Sequence, residues 1–329
     1  MPIWKDSVPR KSKAIITGVA GFAGSYLAEK LLSEGLEIYG LLAPPEKTDN
    51  IAQISRQIHL DRFDLTNRAK MAAYVKKIKP DYIFHLAAMA SVGQSLRFER
   101  LTYEVNIFGT LNLLEAAMPA RNLRKFLLVG SADSYGIIKP KGKIIKETDP
   151  FQPVSPYGIS KAAAEYLAGY YLHQYHIPVV IARSFNHTGP RQSDNFAIPS
   201  FCRQIAEIEH GLRKPQMAVG DLSARRDLSD VRDIVEGYFL LVQKGKPGEV
   251  YHLCSGRTVS IKSVLEKLLR MSKIKIRKVI DENRLRKSDI PVLKGDNSKA
   301  VRELDWKPRY SLEKTLKDTL DYWREKVTE

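Results

Sequence analysis

From residue 13 onward, short apolar runs alternate with stretches whose apolar positions recur every three or four residues. Lys13–Thr17 (KAIIT) is such a run and ends at Gly18. Phe22–Glu34 carries Leu27, Leu31 and Leu32 at helical spacing and stops at Gly35. Strands are then expected at Glu37–Leu42, Gln57–Leu60, Asp81–Leu86, Lys125–Gly130 and Pro178–Arg183. Helices are expected at Asn67–Ile78, closed by Pro80, at Leu101–Ala117 and within Ser155–His176. Strands alternating with helices imply βαβ units and one parallel sheet. Runs apolar on both faces imply helices on both sides of it. Beyond about residue 188 the alternation fades, while Arg, Lys and Pro become more frequent. The pattern predicts an α/β protein, with a doubly wound parallel sheet and a smaller C-terminal α/β lobe. The first unit covers 12–187, with 229–258 returning to it. The second covers 188–228 and 259–329.

The length of 329 residues accommodates two such units, and 43% apolar with 27% charged residues is ordinary for a globular chain. Disorder is excluded as the main state. No apolar run reaches the 18 or so residues of a membrane-spanning helix. The first dozen residues read as a loose polar arm without a signal core. Cys202 and Cys254 stand far apart with no CxxC, which argues against a disulfide scaffold or a zinc-cysteine site and fits a reducing cytoplasm. No HExxH occurs, and His173 and His176 alone do not make a metal site, so none is expected. The formal charge of +16 raises the question of a nucleic-acid partner. The basic residues are spread rather than gathered in one tract, so a generally basic surface is the simpler reading.

Chemistry enters at TGVAGFAG, where Gly18, Gly21 and Gly24 are spaced GxxGxxG between a strand and a helix. Glycines there permit a tight turn and close approach to a pyrophosphate, which the N–H groups and dipole of the next helix favour. Gly18, Gly21, Phe22, Ala23 and Gly24 are therefore candidate cofactor contacts. In LLAPPEK, after the second strand, neither an acid nor an Arg stands at the strand end. Glu46 and Lys47 come later, so NAD(H) and NADP(H) both stay open. Asp64 and Leu65, after the third strand, are candidates to meet the adenine.

Tyr157 and Lys161, in SPYGISKAAAEYL, are four apart and share a helical face. A nearby ammonium favours a phenolate, and such a tyrosine can pass a proton to a carbonyl oxygen while hydride arrives at carbon. Ser131, at the end of the fifth strand, can hold the same oxygen.

TGVAGFAG, Ser131 and YGISK together resemble the extended short-chain dehydrogenase/reductase family over nearly the whole chain. The resemblance implies a Rossmann domain, a nucleotide-sugar substrate and a homodimer built on the helices at 101–117 and 155–176. It implies Tyr157 as proton donor, with Lys161 lowering its pKa and binding the nicotinamide ribose. Asn106 in EVNIFGT supports the site, and Leu86, Ala87 and Ala88 line the cofactor. SFNHTGPRQ (184–192), RRDLSDVRDIVEGY (225–238), VYHLCSG (250–256) and RLRKSDIPVLKGD (284–296) resemble the GDP-4-dehydro-6-deoxy-D-mannose reductases, which make GDP-D-rhamnose. They are also close to the sister GDP-mannose 4,6-dehydratases. Arg226 and Arg286 are thereby expected near the diphosphate of a GDP-sugar, Arg191 near the nucleotide and Asn186 at phosphate or sugar. Arg suits such a group through its planar donor fork. Arg183 is expected to pair structurally, and His187 either lines the nicotinamide end or is structural. The dehydratases resemble Thr-Ser-Glu where this chain has Ser131-Ala132-Asp133. The hydroxyl lost at Ala132 and the shortened acid at Asp133, expected to shape the substrate pocket, favour a reductase. A dehydratase is the alternative. A non-catalytic nucleic-acid-binding protein is a remote one, since a dead scaffold has no reason to keep Ser131, Tyr157 and Lys161.

Overall fold

The computed structural model describes residues 12–140, 142–284 and 290–328. The basic arm before residue 12 and Arg286 lie outside the described residues. The strands are β1 (Lys13–Thr17), β2 (Glu37–Leu42), β3 (His59–Arg62), β4 (Tyr82–His85), β5 (Lys125–Ser131), β6 (Val179–Ser184), β7 (Asn186–Thr188), β8 (Gln216–Val219), β9 (Arg225–Asp230), β10 (Val250–Leu253), β11 (Thr258–Ser260), β12 (Arg277–Ile280) and β13 (Val292–Leu293). The helices are α1 (Phe22–Ser33), α2 (Arg68–Ile78), α3 (Val92–Arg97), α4 (Glu99–Tyr103), α5 (Gly109–Ala117), α6 (Pro156–Tyr175), α7 (Ala197–Glu209), α8 (Val231–Lys244), α9 (Ile261–Met271), α10 (Ser298–Leu304) and α11 (Leu312–Lys326).

The main sheet is parallel, in the order β10-β6-β5-β4-β1-β2-β3. Alternate residues of each strand point to opposite faces. Ala14, Ile16, Phe84, Leu127 and Val180 therefore pack beneath α1 and α8, with Leu27, Leu31, Ile234 and Phe239. Ile15, Ile83, Phe126, Leu128 and Ile181 pack on the other side with Met71, Val75, Leu113, Leu114 and Ala164. Each such burial of an Ile, Leu, Val, Met or Phe side chain stabilises by roughly 1.5–3 kcal/mol before entropy is counted. The chain leaves this layer after β6 and returns with α8 and β10.

The second lobe has its own core, where Phe201, Ile205, Met217, Leu265, Leu268, Leu316 and Leu320 meet between α7, α9 and α11. Its strands are short: β9 lies between β11 and β13 and also pairs with β7, while β8 pairs with β12. The switch back to the main sheet is fastened at the start of α8. Asp230 caps that helix through the Arg232 amide and also accepts from Thr315 Oγ1 of α11 at 2.7 Å.

Candidate active site

The C-terminal ends of β1, β4, β5 and β6 meet the second lobe, and the candidate residues gather there. Gly18 has φ +71°, and its amide donates to Leu41 O at 3.1 Å, so the turn after β1 leans over β2. A Cβ on Gly18 would lie 3.0 Å from the Ala87 backbone, and one on Gly24 would collide with the Gly18 carbonyl oxygen. Gly21 is the N-cap of α1 and offers no side chain to the first turn. The N–H groups of Phe22, Ala23 and Gly24 thus face outward at a positive helix end. Beside them Glu46 folds back, its Oε2 accepting the Ala43 amide at 3.1 Å, and Arg62 Nη1 donates to the carbonyls of Ala43 and Glu46. The end of β2 therefore carries both the acid that suits a free ribose hydroxyl and the cation that suits a 2′-phosphate. Asp64 is exposed and holds its own turn through the Thr66 amide and hydroxyl. Leu65 is buried against α5. Leu86 packs on the core beneath α1, Ala87 on the opposite one, and Ala88 is half-buried.

A buried chain of hydrogen bonds underlies this turn. The Ala87 amide donates to Thr17 Oγ1 (3.2 Å), which contacts His85 Nδ1 (2.8 Å). His85 Nε2 contacts Thr110 Oγ1 (2.8 Å), and that hydroxyl donates to the Asn106 carbonyl (2.6 Å). Since the Thr110 proton is committed, His85 donates from Nε2 and accepts at Nδ1. Burial holds the imidazole neutral, its pKa pushed down to about 3. Asn106 sits in a π-helical turn, Glu104–Phe108, joining α4 to α5. Its Oδ1 accepts the Met89 amide at 2.7 Å and its Nδ2 donates to Ser160 Oγ at 2.8 Å, one residue from Lys161. Asn106 thus ties the loop after β4 to α6.

On α6, capped by Ser155 with Pro156 in the first turn, Tyr157 and Lys161 are one turn apart. Gly158 lets the Asp133 carbonyl pack against this helix start, which brings the short 3₁₀ turn Ala132–Tyr135 onto Tyr157. Ser131 lies within hydrogen-bonding reach of the Tyr157 phenol, and its hydroxyl donates to Asp133 Oδ2 at 3.3 Å. Lys161 Nζ donates to Val129 O at 2.8 Å and lies 6.0 Å from the Tyr157 ring centre. Burial drives the Tyr157 pKa up, the charge of Asp133 adds to this, and the Ser131 hydrogen bond opposes it. That direction is opposite to the one expected from the Tyr–Lys pair alone, because Lys161 spends its ammonium on the Val129 carbonyl rather than on the phenol. Burial also pushes Lys161 down, to about 8, with Glu165 opposing. Ala132 is 1% exposed and packs with Tyr135, Phe185 and Cys254. A hydroxyl there would enter the core, so the difference from the dehydratase pattern that can touch chemistry is Asp133.

The facing wall comes from the second lobe. Asn186 begins β7, and its buried Oδ1 has no partner among the described residues. His187 donates from Nδ1 to Phe185 O at 3.0 Å and stacks on Phe22 with ring centres 5.8 Å apart. Arg191, at φ +71°, pairs with Glu29 at 2.8 Å and lies over the Tyr26 ring, so it braces α1. Arg226 is on β9, its Nη1 donating to Ile290 O at 2.7 Å. The two arginines thus belong to different walls. Arg183 makes the structural pair expected of it, with Glu165 at 2.8 Å.

The residues present fit a bound dinucleotide. The helix end is open, and the glycine turn leaves no room for side chains at Gly18 and Gly24. Sequence reading missed Thr17, His85 and Thr110, whose link is long-range, and it missed Glu165. His85, a histidine inside an apolar strand, was the available signal. Among the described residues no group of three or more His, Cys, Asp or Glu side chains is placed to hold a metal. No helix among them is long and apolar enough to cross a membrane.

A strand-end serine beside a helical Tyr–Lys couple, at the mouth of a dinucleotide turn, is the arrangement of the extended short-chain dehydrogenases/reductases. Within that class this chain belongs to the GDP-mannose 4,6 dehydratase family, whose family model matches residues 15–319. It is 31% identical to the GDP-6-deoxy-D-mannose reductase of Pseudomonas aeruginosa, over 96% of this chain and 99% of that one. It is 32% identical to GDP-mannose 4,6 dehydratase 2 of Arabidopsis thaliana, over 95% and 87%. Among solved structures, RMD from Pseudomonas aeruginosa complexed with NADPH superposes with a TM-score of 0.82 at 30% identity, covering 96% and 100%. DesIV, a dTDP-glucose 4,6-dehydratase from Streptomyces venezuelae with NAD and TYD bound, does so at 0.83 and 27%, covering 96% and 98%.

Proposed function

We propose that this protein reduces the C4 keto group of GDP-4-dehydro-6-deoxy-D-mannose to give GDP-D-rhamnose. The cofactor is NAD(H) or NADP(H), and the structural relatives include one holding NADPH and one holding NAD. When bound, the reduced nicotinamide supplies hydride to C4. Gly18, Gly21 and Gly24, with the N–H groups of Phe22, Ala23 and Gly24, cradle the pyrophosphate. Leu86, Ala87 and Ala88 line the cofactor, and Asp64 and Leu65 stand at the adenine side. Tyr157 donates its proton to O4 as charge develops there, Ser131 steadies that oxygen, and Lys161 binds ribose hydroxyls and supplies positive charge. Asn186, Arg226 and Arg286 receive the diphosphate and sugar, and Arg191 holds the nucleotide side through α1. This division of labour goes with a cofactor domain of 12–187 plus 229–258 and a substrate domain of 188–228 plus 259–329.

The observation that carries the reductase reading is the strand end itself: Ala132 is buried in the core without a hydroxyl, and the carboxylate beside it is the short Asp133. A dehydratase must begin by removing a proton from O4, then one from C5. Asp133 is the one carboxylate here to compare with the dehydratases' glutamate, and it already accepts the Ser131 hydroxyl. Asp133→Asn is therefore expected to lower kcat/KM for keto-sugar reduction by no more than about tenfold, the scale of one hydrogen bond. A loss of a thousandfold in reduction would instead place Asp133 in the proton transfer itself, and conversion of GDP-mannose that is lost in Asp133→Asn would make it the base of a dehydratase.

The homodimer is proposed on an apolar face. Leu101 and Phe108, on the segment running from α4 into α5, are 46% and 55% exposed. On neighbouring α6, Ile159, Tyr166 and Tyr170 are 42%, 70% and 54% exposed. On α6 the spacings of seven and four put the three side chains on one helical side, and Leu101 and Phe108 extend the face along the neighbouring segment. A second copy pairing the same helices would cover both. Light scattering should give twice the chain mass, and Phe108→Glu with Tyr166→Glu should give a monomer. A wild-type monomer at micromolar concentration contradicts the proposal.

A further inference from the structure

The deepest ionic cluster lies behind Lys161 and has no part in the mechanism above. Glu165 follows Lys161 by one helical turn and is 5% exposed. Its Oε2 accepts from Arg183 Nε at 2.8 Å, while Oε1 is buried without a partner among the described residues. A Cβ on Gly130 would collide with that Oε1. The carboxylate therefore rests against Gly130 and the Lys161 ammonium against the carbonyl of Val129, adjacent positions of β5. Arg183 is anchored in turn by donating to Tyr135 Oη at 2.5 Å and to Glu147 O at 2.8 Å, and Tyr135 meets His252 Nε2 at 2.6 Å.

We infer that Glu165 is a positioning residue for Lys161. Its buried carboxylate, fixed by Arg183 and admitted against β5 by Gly130, keeps the Lys161 ammonium charged and seated on Val129 O. A lone ammonium at this depth would shed its proton near neutrality, because burial disfavours the charged form. The groups around it are few. Tyr157 on the same helix is protonated, and His85 on β4 is neutral. Asp133, after β5, acts on Tyr157, and Tyr238 on α8 adds a smaller effect there. Arg183 on β6 would repel Lys161 were Glu165 absent. Glu165 is the one carboxylate that favours the charged lysine. Its own pKa is raised by burial to about 7, against the pull of Arg183 and Lys161. Its salt bridge to Arg183 Nε at 2.8 Å favours the carboxylate form. The sign follows: removing Glu165 lowers the Lys161 midpoint, so the charged lysine is lost at a lower pH.

The inference rests on Tyr157 and Lys161 being the reacting pair, and its primary readout needs no turnover. Cofactor-free protein labelled with ¹³C at lysine Cε is titrated by NMR, with Lys161 assigned by its absence in Lys161→Met. Glu165→Gln should lower the Lys161 midpoint by about one pH unit or more, whereas Glu165→Asp should stay near wild type. Because Glu165→Gln leaves Arg183 buried without its partner, the double variant Glu165→Gln/Arg183→Met is titrated too. Gly130→Ala, which displaces the carboxylate while leaving its charge in the protein, should shift the midpoint in the same direction. The alkaline limb of kcat should move with the midpoint in whichever reaction the enzyme proves to catalyse. A folded Glu165→Gln or double variant whose Lys161 midpoint matches wild type overturns the inference. A shifted midpoint in an enzyme that dehydrates GDP-mannose sinks the reductase reading alone.

Discussion

Tyr157→Phe is expected to lower kcat for keto-sugar reduction by about 10²–10⁴-fold, the range a positioned general acid contributes. Binding of NAD(P)H, followed by fluorescence, should change less than about threefold, on the scale of one hydrogen bond at the low end of its range. The expectation rests on where the phenol sits. Its partners are Ser131, one turn of α6 and the 3₁₀ turn carrying Asp133, none of which belongs to the glycine turn. Removing the hydroxyl takes away the proton donor and leaves the ring that packs the wall. The pH dependence follows from the directions of the shifts. Tyr157 is held above its ordinary pKa and stays a donor throughout the physiological range. The alkaline loss of activity therefore belongs to Lys161, near pH 8. Retention of turnover in Tyr157→Phe would remove the tyrosine from the mechanism.

Gly24→Ala should weaken NAD(P)H binding by about tenfold to a hundredfold, measured by titration calorimetry on the folded variant. The new methyl collides with the Gly18 carbonyl oxygen, which is backbone and cannot rotate away. The turn must shift, and overpacking of this kind costs about 1–3 kcal/mol. That shift displaces the donors at the start of α1 that face the pyrophosphate. By contrast, a Cβ on Gly35 meets nothing within 4 Å. Its φ of +82° makes Gly35→Ala a test of backbone strain alone, and nucleotide binding there should match wild type. Equal loss in both variants would mean that cofactor affinity does not depend on the shape of the turn.

Legibility from sequence tracked how local the determining physics is. β1, β2, β5 and β6 were readable because they are buried on both faces and read as continuous apolar runs. The third strand lies at His59–Arg62, two residues later than Gln57–Leu60. It is an edge strand, half-exposed, and its apolar signal is weak. The single helix expected at 101–117 contains the π turn at 104–108, a change of hydrogen-bond register that leaves no mark in residue type. Gly18, Gly24, Ser131, Tyr157 and Lys161 were readable because each sits at a fixed offset from an element end. Glu46 looked too distant from β2 because the sequence does not show its side chain folding back to Ala43. Glu165, in AAAEYL, reads as a solvated helix position, and its burial depends on Arg183 and Gly130, which are far away or inconspicuous. The phenol's pKa ran opposite to expectation because a spacing of four gives a shared face but not the partner the ammonium chooses.

The most direct test of the central claim is to give the purified protein two substrates separately. One is GDP-4-dehydro-6-deoxy-D-mannose with NADPH or NADH, and the other is GDP-mannose with NADP⁺ or NAD⁺. Nicotinamide absorbance is followed and the sugar is identified by NMR. Stoichiometric nicotinamide oxidation is expected with the keto sugar, yielding GDP-D-rhamnose, with no change in GDP-mannose. Conversion of GDP-mannose to the keto sugar without net cofactor consumption would contradict the reductase reading and make the enzyme a dehydratase.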